Sequence, residues 1–94
     1  MAYVQLRSIF AVLAQGDYLE PVMETTLPHD SLKVGPGQWL VSYAGTAKEL
    51  SDALGVTQGN TGPAIIMAGS GYYGRADTSV WEWINSKLNS FEYA

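Results

Sequence analysis

The stretch Gly69-Ser70-Gly71-Tyr72-Tyr73-Gly74 has the G-x-G-x-x-G spacing of a dinucleotide-binding loop, in which glycines let the backbone approach a pyrophosphate. In such a loop the third glycine opens a helix whose N-terminus faces the phosphates. Here the helical pattern begins only after Arg75-Ala76-Asp77, and no further strand with an acidic residue follows. The stretch therefore predicts a strand-to-helix connection, and we expect no cofactor.

The same connection has the composition of an adaptable recognition loop. Tyr72 and Tyr73 stand beside Arg75, and these residue types are enriched where proteins bind one another. The flanking glycines give the backbone freedom to adjust to a partner. We predict a ligand or partner loop made of Gly69, Ser70, Gly71, Tyr72, Tyr73, Arg75 and Asp77.

A catalytic set is harder to find. The only histidine, His29, lies within Pro28-His29-Asp30-Ser31. A catalytic triad is assembled from side chains that converge in space, whereas adjacent residues point apart, so this tetrapeptide indicates a turn. One histidine and no cysteine also argue against a transition-metal site. We predict no catalytic residues and no metal ligands.

Acidic residues early in the chain leave one alternative open. Asp17, Glu20, Glu24 and Asp30 are close in sequence. Glu20 and Glu24 stand one helical turn apart, which is typical of a solvated helix face. Paired carboxylates could instead perform acid–base chemistry, and the protein would then be a small metal-dependent nuclease or hydrolase.

Composition limits the classes of partner. The chain has 94 residues, enough for a single domain over residues 1 to 94, and a net charge of −4 with its few cations scattered. We therefore expect no binding to duplex nucleic acid or to anionic membranes. The longest wholly apolar run, residues 9 to 14, is too short to span a bilayer. The absence of cysteine fits a reducing compartment, and we expect a cytoplasmic protein.

Hydrophobic periodicity places these residues on elements. Tyr3 to Leu13 is interpreted as a strand whose second half is buried on both faces, although helical spacing also fits it. Pro21 is tolerated only in a first turn, so the first helix starts near residues 18 to 20 and ends before Pro28. Two strands then flank Gly35-Pro36-Gly37. The side chains expected on the buried faces of this helix and of the second of these strands are Leu19, Val22, Met23, Thr26, Trp39, Val41 and Tyr43.

The second half of the chain predicts two capped helices around a strand. Thr46 and Glu49 have the spacing of a capping box, and Gly55 follows the helix as a C-terminal glycine. Residues 63 to 68 form a buried strand, and Ser79 with Glu82 suggests a second capping box for a helix that runs to about residue 90. The buried stripe of the first of these helices is Ala47, Leu50, Ala53 and Leu54.

This order of elements predicts an α+β sandwich, a ferredoxin-like βαββαβ fold with an extra C-terminal helix. Such a sheet carries two helices on one face and leaves the other face open. Both faces of the first and fourth strands are apolar. We therefore expect the last helix, or a second copy of the chain, to cover this other face.

Three segments, DYLEPVMETTL, QWLVSYAGTAKELSDAL and AIIMAGSG, carry a family resemblance over residues 9 to 71. An Asp-Tyr opens a helix, a Trp-Leu-Val strand leads into a capped helix ending in Asp-Ala-Leu, and an apolar strand follows. The pattern resembles the small ferredoxin-like domains related to the CRISPR-associated double-strand endoribonuclease family. The resemblance implies a metal-binding Asp at the end of the first strand in nuclease members. This chain has Ala14-Gln15-Gly16 there, with Asp17 next, which argues against metal-dependent cleavage.

The last helix yields the sharpest prediction of a contact residue. Trp83 lies opposite its apolar stripe of Val80, Trp81, Ile84, Leu88 and Phe91. A tryptophan there contacts a partner or is covered by Lys87, one turn further on. We predict an interface at Trp83 and Lys87. The sequence thus favours a non-enzymatic binding domain that forms a homo-oligomer or binds another protein.

Overall fold

A computed structural model describes residues 7–69 and 78–89, with no account of the side chains of residues 88 and 89. Its elements follow the predicted order, and the mixed fold with a four-stranded antiparallel sheet is consistent with the ferredoxin-like α+β class. The elements are β1 (Ser8–Ala14), α1 (Glu20–Thr26), β2 (Ser31–Gly35), β3 (Gln38–Tyr43), α2 (Ala47–Ala53), β4 (Ala64–Ala68) and α3 (Thr78–Asn89).

The strands are arranged in the order β2-β3-β1-β4. β1 pairs with β3 on one side and with β4 on the other, so its apolar residues have neighbours in both directions. The prediction of a strand is confirmed over residues 8 to 13, while residues 3 to 6 lie outside the described residues. β2 and β4 are the two edges of the sheet.

One face of the sheet forms the main core with α1 and α2. Phe10 and Val41 lie opposite one another on β1 and β3 and are almost completely buried. Residues of this core from the helices and their flanks include Leu19, Met23 and Leu50. This face of the sheet is therefore filled by the two helices, as predicted. The buried members of the cluster are Phe10, Val12, Leu19, Met23, Leu27, Trp39, Val41, Leu50 and Leu54.

Two residues predicted for the helix stripes are exposed. Thr26 is exposed, and Leu27 is buried in its place because α1 ends at Thr26 and Leu27 already has a non-helical backbone that turns it into the core. Ala53 is exposed as well, whereas Leu54 just after α2 is buried. In both helices a leucine at the C-terminal end provides the last core contact.

The capping predictions differ in outcome. At α2 the Thr46 hydroxyl accepts the Glu49 amide at 3.1 Å, and the Glu49 carboxylate accepts the Thr46 amide at 2.8 Å, which confirms the capping box. Gly55 has a φ of 77°, as a C-terminal glycine should. The second box is wrong, because α3 begins at Thr78 and Ser79 is already inside its first turn.

α3 covers part of the opposite sheet face. Ile9 and Ser42 are cross-strand neighbours that point away from α1 and α2, yet both are buried. α3 contacts β1, and its Ile84 is buried outside the main core cluster. The predicted cover by the last helix is thus confirmed for the end of the face near Ile9.

Among the described helices, none is long and apolar enough to cross a membrane.

Candidate interaction surface

The part of this second face that α3 does not cover is largely apolar, and we call its apolar residues the open face. The register runs Met67–Ala11–Leu40–Leu32 across all four strands, and the next row holds Ile65, Leu13 and the polar Gln38. Ile65 is 63% exposed and Met67 is 50% exposed, while Leu13 is 40% exposed. The open face consists of Ala11, Leu13, Leu32, Leu40, Ile65 and Met67.

This finding corrects the prediction of a buried fourth strand. β4 is an edge strand, because only β1 pairs with it among the described strands. Ala64 and Ile66 face the helices and are half-buried, but Ile65 and Met67 face away from them. An apolar run on a strand therefore indicates that both faces of the strand are apolar. In β4 only the face toward α1 and α2 is covered.

A hydrogen bond holds the chain at the residue just before β4. The Tyr18 hydroxyl donates a hydrogen bond to the carbonyl oxygen of Pro63, which links the turn before α1 to the residue preceding β4. Nearby, an open depression of about 290 Å³ is lined by Leu13, Gln15, Pro63, Ala64 and Ile65. The depression extends the open face around the end of β1 and carries no charged group on its lining.

A charged cluster attaches α3 to the sheet beside the open face. One carboxylate oxygen of Asp30 lies 3.2 Å from the Arg7 guanidinium, and the other lies 3.2 Å from the Lys87 ammonium. Arg7 also donates to the Ser42 carbonyl at 3.2 Å. Lys87 therefore joins α3 to the turn before β2. Sequence reasoning missed Asp30 in this role, because the residues it joins are far apart in the chain.

Trp83 is half-buried in the structure. The Lys87 ammonium lies 5.9 Å from the centroid of the Trp83 ring, which is the local cation–π contact considered above as one way to cover the indole. Lys87 thus contacts Trp83 and Asp30 together. A role for Trp83 and Lys87 in an interface stays a prediction.

The predicted ligand loop lies mainly outside the described residues. Gly69 is the exception, and its amide donates to the Ile9 carbonyl at 2.9 Å, continuing the ladder between β1 and β4 by one residue. The other members, Ser70, Gly71, Tyr72, Tyr73, Arg75 and Asp77, fall in the range that the structure does not describe.

The early acids are bound to neighbouring groups. Asp17 accepts the Gly37 amide at 2.8 Å and lies 3.2 Å from the Lys33 ammonium, and the pKa of Asp17 is lowered by these two contacts in that order. Lys33 also binds Glu20 at 2.7 Å, and its own pKa is raised by Glu20 and Asp17. Within residues 7–69 and 78–89, no three acidic or histidine side chains are placed to hold a metal ion.

His29 is exposed in the turn between α1 and β2, and Glu24 is exposed on α1. The structure therefore brings Asp17 and Glu20 together around Lys33, and places Asp30 separately with Arg7 and Lys87.

Comparison with known proteins adds no relative: no family model, no curated protein and no solved structure matches this chain.

Proposed function

We propose that this chain is a non-enzymatic interaction domain that associates with a second copy of itself through the open face. The observation that carries the proposal is the exposure of Leu13, Ile65 and Met67 beside α3, on a sheet face that folding leaves half covered. Clustered apolar side chains of this kind mark contact surfaces on soluble proteins.

Charge favours the open face over the rest of the surface for self-association. Two copies of a chain with net charge −4 repel each other, so their contact is least costly where no charge lies. Every side chain of the open face is uncharged, whereas the exposed sides of α1 and α2 carry Glu24 and Glu49. A contact about a two-fold axis then places apolar side chains against their equivalents.

The size of the open face indicates that the contact extends beyond it. The whole second face, with four strands spaced by about 4.8 Å and each about five residues long, covers roughly 300 Å², and the open face is only part of it. A standard interface buries about 800 Å² on each partner. We propose Trp83 on α3, together with Tyr72, Tyr73 and Arg75, for the remainder of the contact surface.

Size-exclusion chromatography with light scattering tests the proposal. We expect the protein to form dimers or larger species as its concentration rises, and Leu13→Glu to lower its average mass because a carboxylate in the contact would have to be desolvated. Thr26→Glu on the exposed side of α1 introduces the same charge elsewhere and is the matched control. A wild-type protein that stays monomeric at high concentration contradicts the proposal.

A further inference from the structure

The two edges of the sheet differ in how well they resist pairing with another strand. β2 carries Lys33 and an irregularity between Lys33 and Gly35, and Pro36 follows it. Charges, bulges and prolines are the usual devices that block an edge. β4, with the sequence Ala-Ile-Ile-Met-Ala, has no charge, no bulge and no internal proline.

The register of β4 shows which of its backbone groups face outward. The Gly69 amide donates to Ile9, so Gly69 is in a hydrogen-bonded pair with β1. Antiparallel pairs alternate, and Met67 and Ile65 therefore also bond toward β1. Ala64, Ile66 and Ala68 direct their amides and carbonyls away from the sheet. The hydrogen bonds of residues 7–69 and 78–89 include none to these outward groups.

The sequence of β4 is nearly the same in both directions, which matters for a strand that meets its own copy. With a two-fold axis at Ile66, Ala64 lies opposite Ala68 of the second copy, and Ile65 lies opposite Met67 of the second copy. This register pairs outward-facing residues only with outward-facing residues, and so forms about six new backbone hydrogen bonds. No like charges meet, because β4 has none.

We propose that β4 pairs antiparallel with β4 of a second copy about a two-fold axis at Ile66, joining two four-stranded sheets into one continuous sheet. This proposal rests on the self-association proposed above and adds a second contact, distinct from the one in which two open faces lie against each other. In the joined sheet the two open faces lie side by side, with Ile65 and Met67 at the seam.

Cysteine cross-linking tests the register directly, because the natural chain has no cysteine. Ile65 and Met67 of the second copy form a non-hydrogen-bonded pair with Cα atoms about 4.5 Å apart, which is within the range of a disulfide. We expect an equimolar mixture of Ile65→Cys and Met67→Cys, oxidised gently, to yield at least about tenfold more disulfide dimer than either variant alone.

A matched pair of variants shows whether the outward amides are responsible. Ala68→Pro removes one outward donor and places a ring against the second strand, while the bonds of Met67 and Gly69 toward β1 remain. Ala68→Thr keeps the amide. In the background of the two cysteine variants, we expect Ala68→Pro to abolish the mixed cross-link and Ala68→Thr to retain it, with circular dichroism unchanged in both.

The outcomes separate the two proposals. If light scattering shows dimers but the mixture does not cross-link above the single variants, pairing through β4 is overturned and self-association through the open face stands. If Ala68→Pro cross-links as well as Ala68→Thr, pairing through β4 is likewise overturned. If the wild type is strictly monomeric, both proposals fall.

Discussion

The two faces of the sheet present similar side chains but receive different cover. On the face toward α1 and α2, Phe10 and Val12 are at most 1% exposed, whereas on the other face Leu13, the next residue of the same strand, is 40% exposed. Two short helices suffice on the first face because each adds a leucine beyond its last turn. On the second face α3 contacts β1 and leaves Leu13 exposed. Burial of this strand is therefore decided by the elements that cover it, since the strand itself is apolar on both sides.

We expect the greatest difference when one side chain is truncated on each face of β1. Phe10→Ala leaves a cavity in the main core and should cost about 3–5 kcal/mol of unfolding free energy. Leu13→Ala removes a side chain that is already partly in water and should cost less than about 1 kcal/mol. Urea denaturation of both variants measures the contrast. Equal losses of unfolding free energy in the two variants would mean that the open face is sheltered from water.

Removal of Asp30 should loosen the cover of the second face and leave the first face intact. Asp30→Ala deletes the acceptor shared by Arg7 and Lys87, and each exposed ion pair of this kind is worth about 0.2–1 kcal/mol. We expect faster amide hydrogen exchange in α3 with little change in β1 and β3. Asp52→Ala, which removes a carboxylate that contacts Lys48 and Thr57 at α2, is the control. Faster exchange throughout the sheet would show that Asp30 supports the whole fold.

Much of the fold could be predicted because its signals are local. Thr46 and Glu49 are three residues apart, so their reciprocal hydrogen bonds follow from spacing alone. Pro21 fixed the start of α1 for the same reason, since a proline fits only a first turn. Leu54 was predicted in the buried stripe, but Leu27 was harder to place, because it enters the core by leaving the helical conformation.

The candidate interaction surface could be predicted only in outline. The apolar residues of β1 and β4 showed that both faces need cover, but the run Ala-Ile-Ile-Met-Ala does not record whether β4 is central or at an edge. The links of Asp30 to Arg7 and Lys87 join residues distant in the chain, and no local pattern indicates them. Long-range placement, more than residue type, was the missing information.

Trp83→Ala tests whether the uncovered side of the molecule includes α3. The substitution removes the ring beside Lys87, a contact worth about 0.5–1 kcal/mol at an exposed site. If Trp83 contributes to an interface, the variant should dissociate at higher concentration than the wild type while its melting temperature changes little. Lys87→Met keeps the apolar stem but removes the cation beside the indole together with its ion pair to Asp30. Unfolding of Trp83→Ala would instead assign the indole to the core.

The smallest expected effect concerns the rim of the well-covered face, where Lys33 on β2 reaches Asp17 and Glu20 beside α1. Because contacts with Gly37 and Lys33 lower the pKa of folded Asp17, its stabilising effect is present above its unfolded pKa and is lost as pH falls through the folded value. Asp17→Asn should therefore melt at a lower temperature than the wild type near neutral pH. The two melting temperatures should converge in acid, as a series of melts against pH would show.

The same contacts bear on the alternative of a metal-dependent hydrolase or nuclease. A divalent ion at Asp17 and Glu20 has to displace Lys33 from both carboxylates, so we expect millimolar Mg²⁺ or Mn²⁺ to leave the melting temperature unchanged. Lys33→Met frees the two carboxylates and is the informative comparison. A rise in melting temperature with Mn²⁺ in the wild type would favour the hydrolase alternative, because it would show that the rim of the covered face binds metal in preference to its own lysine.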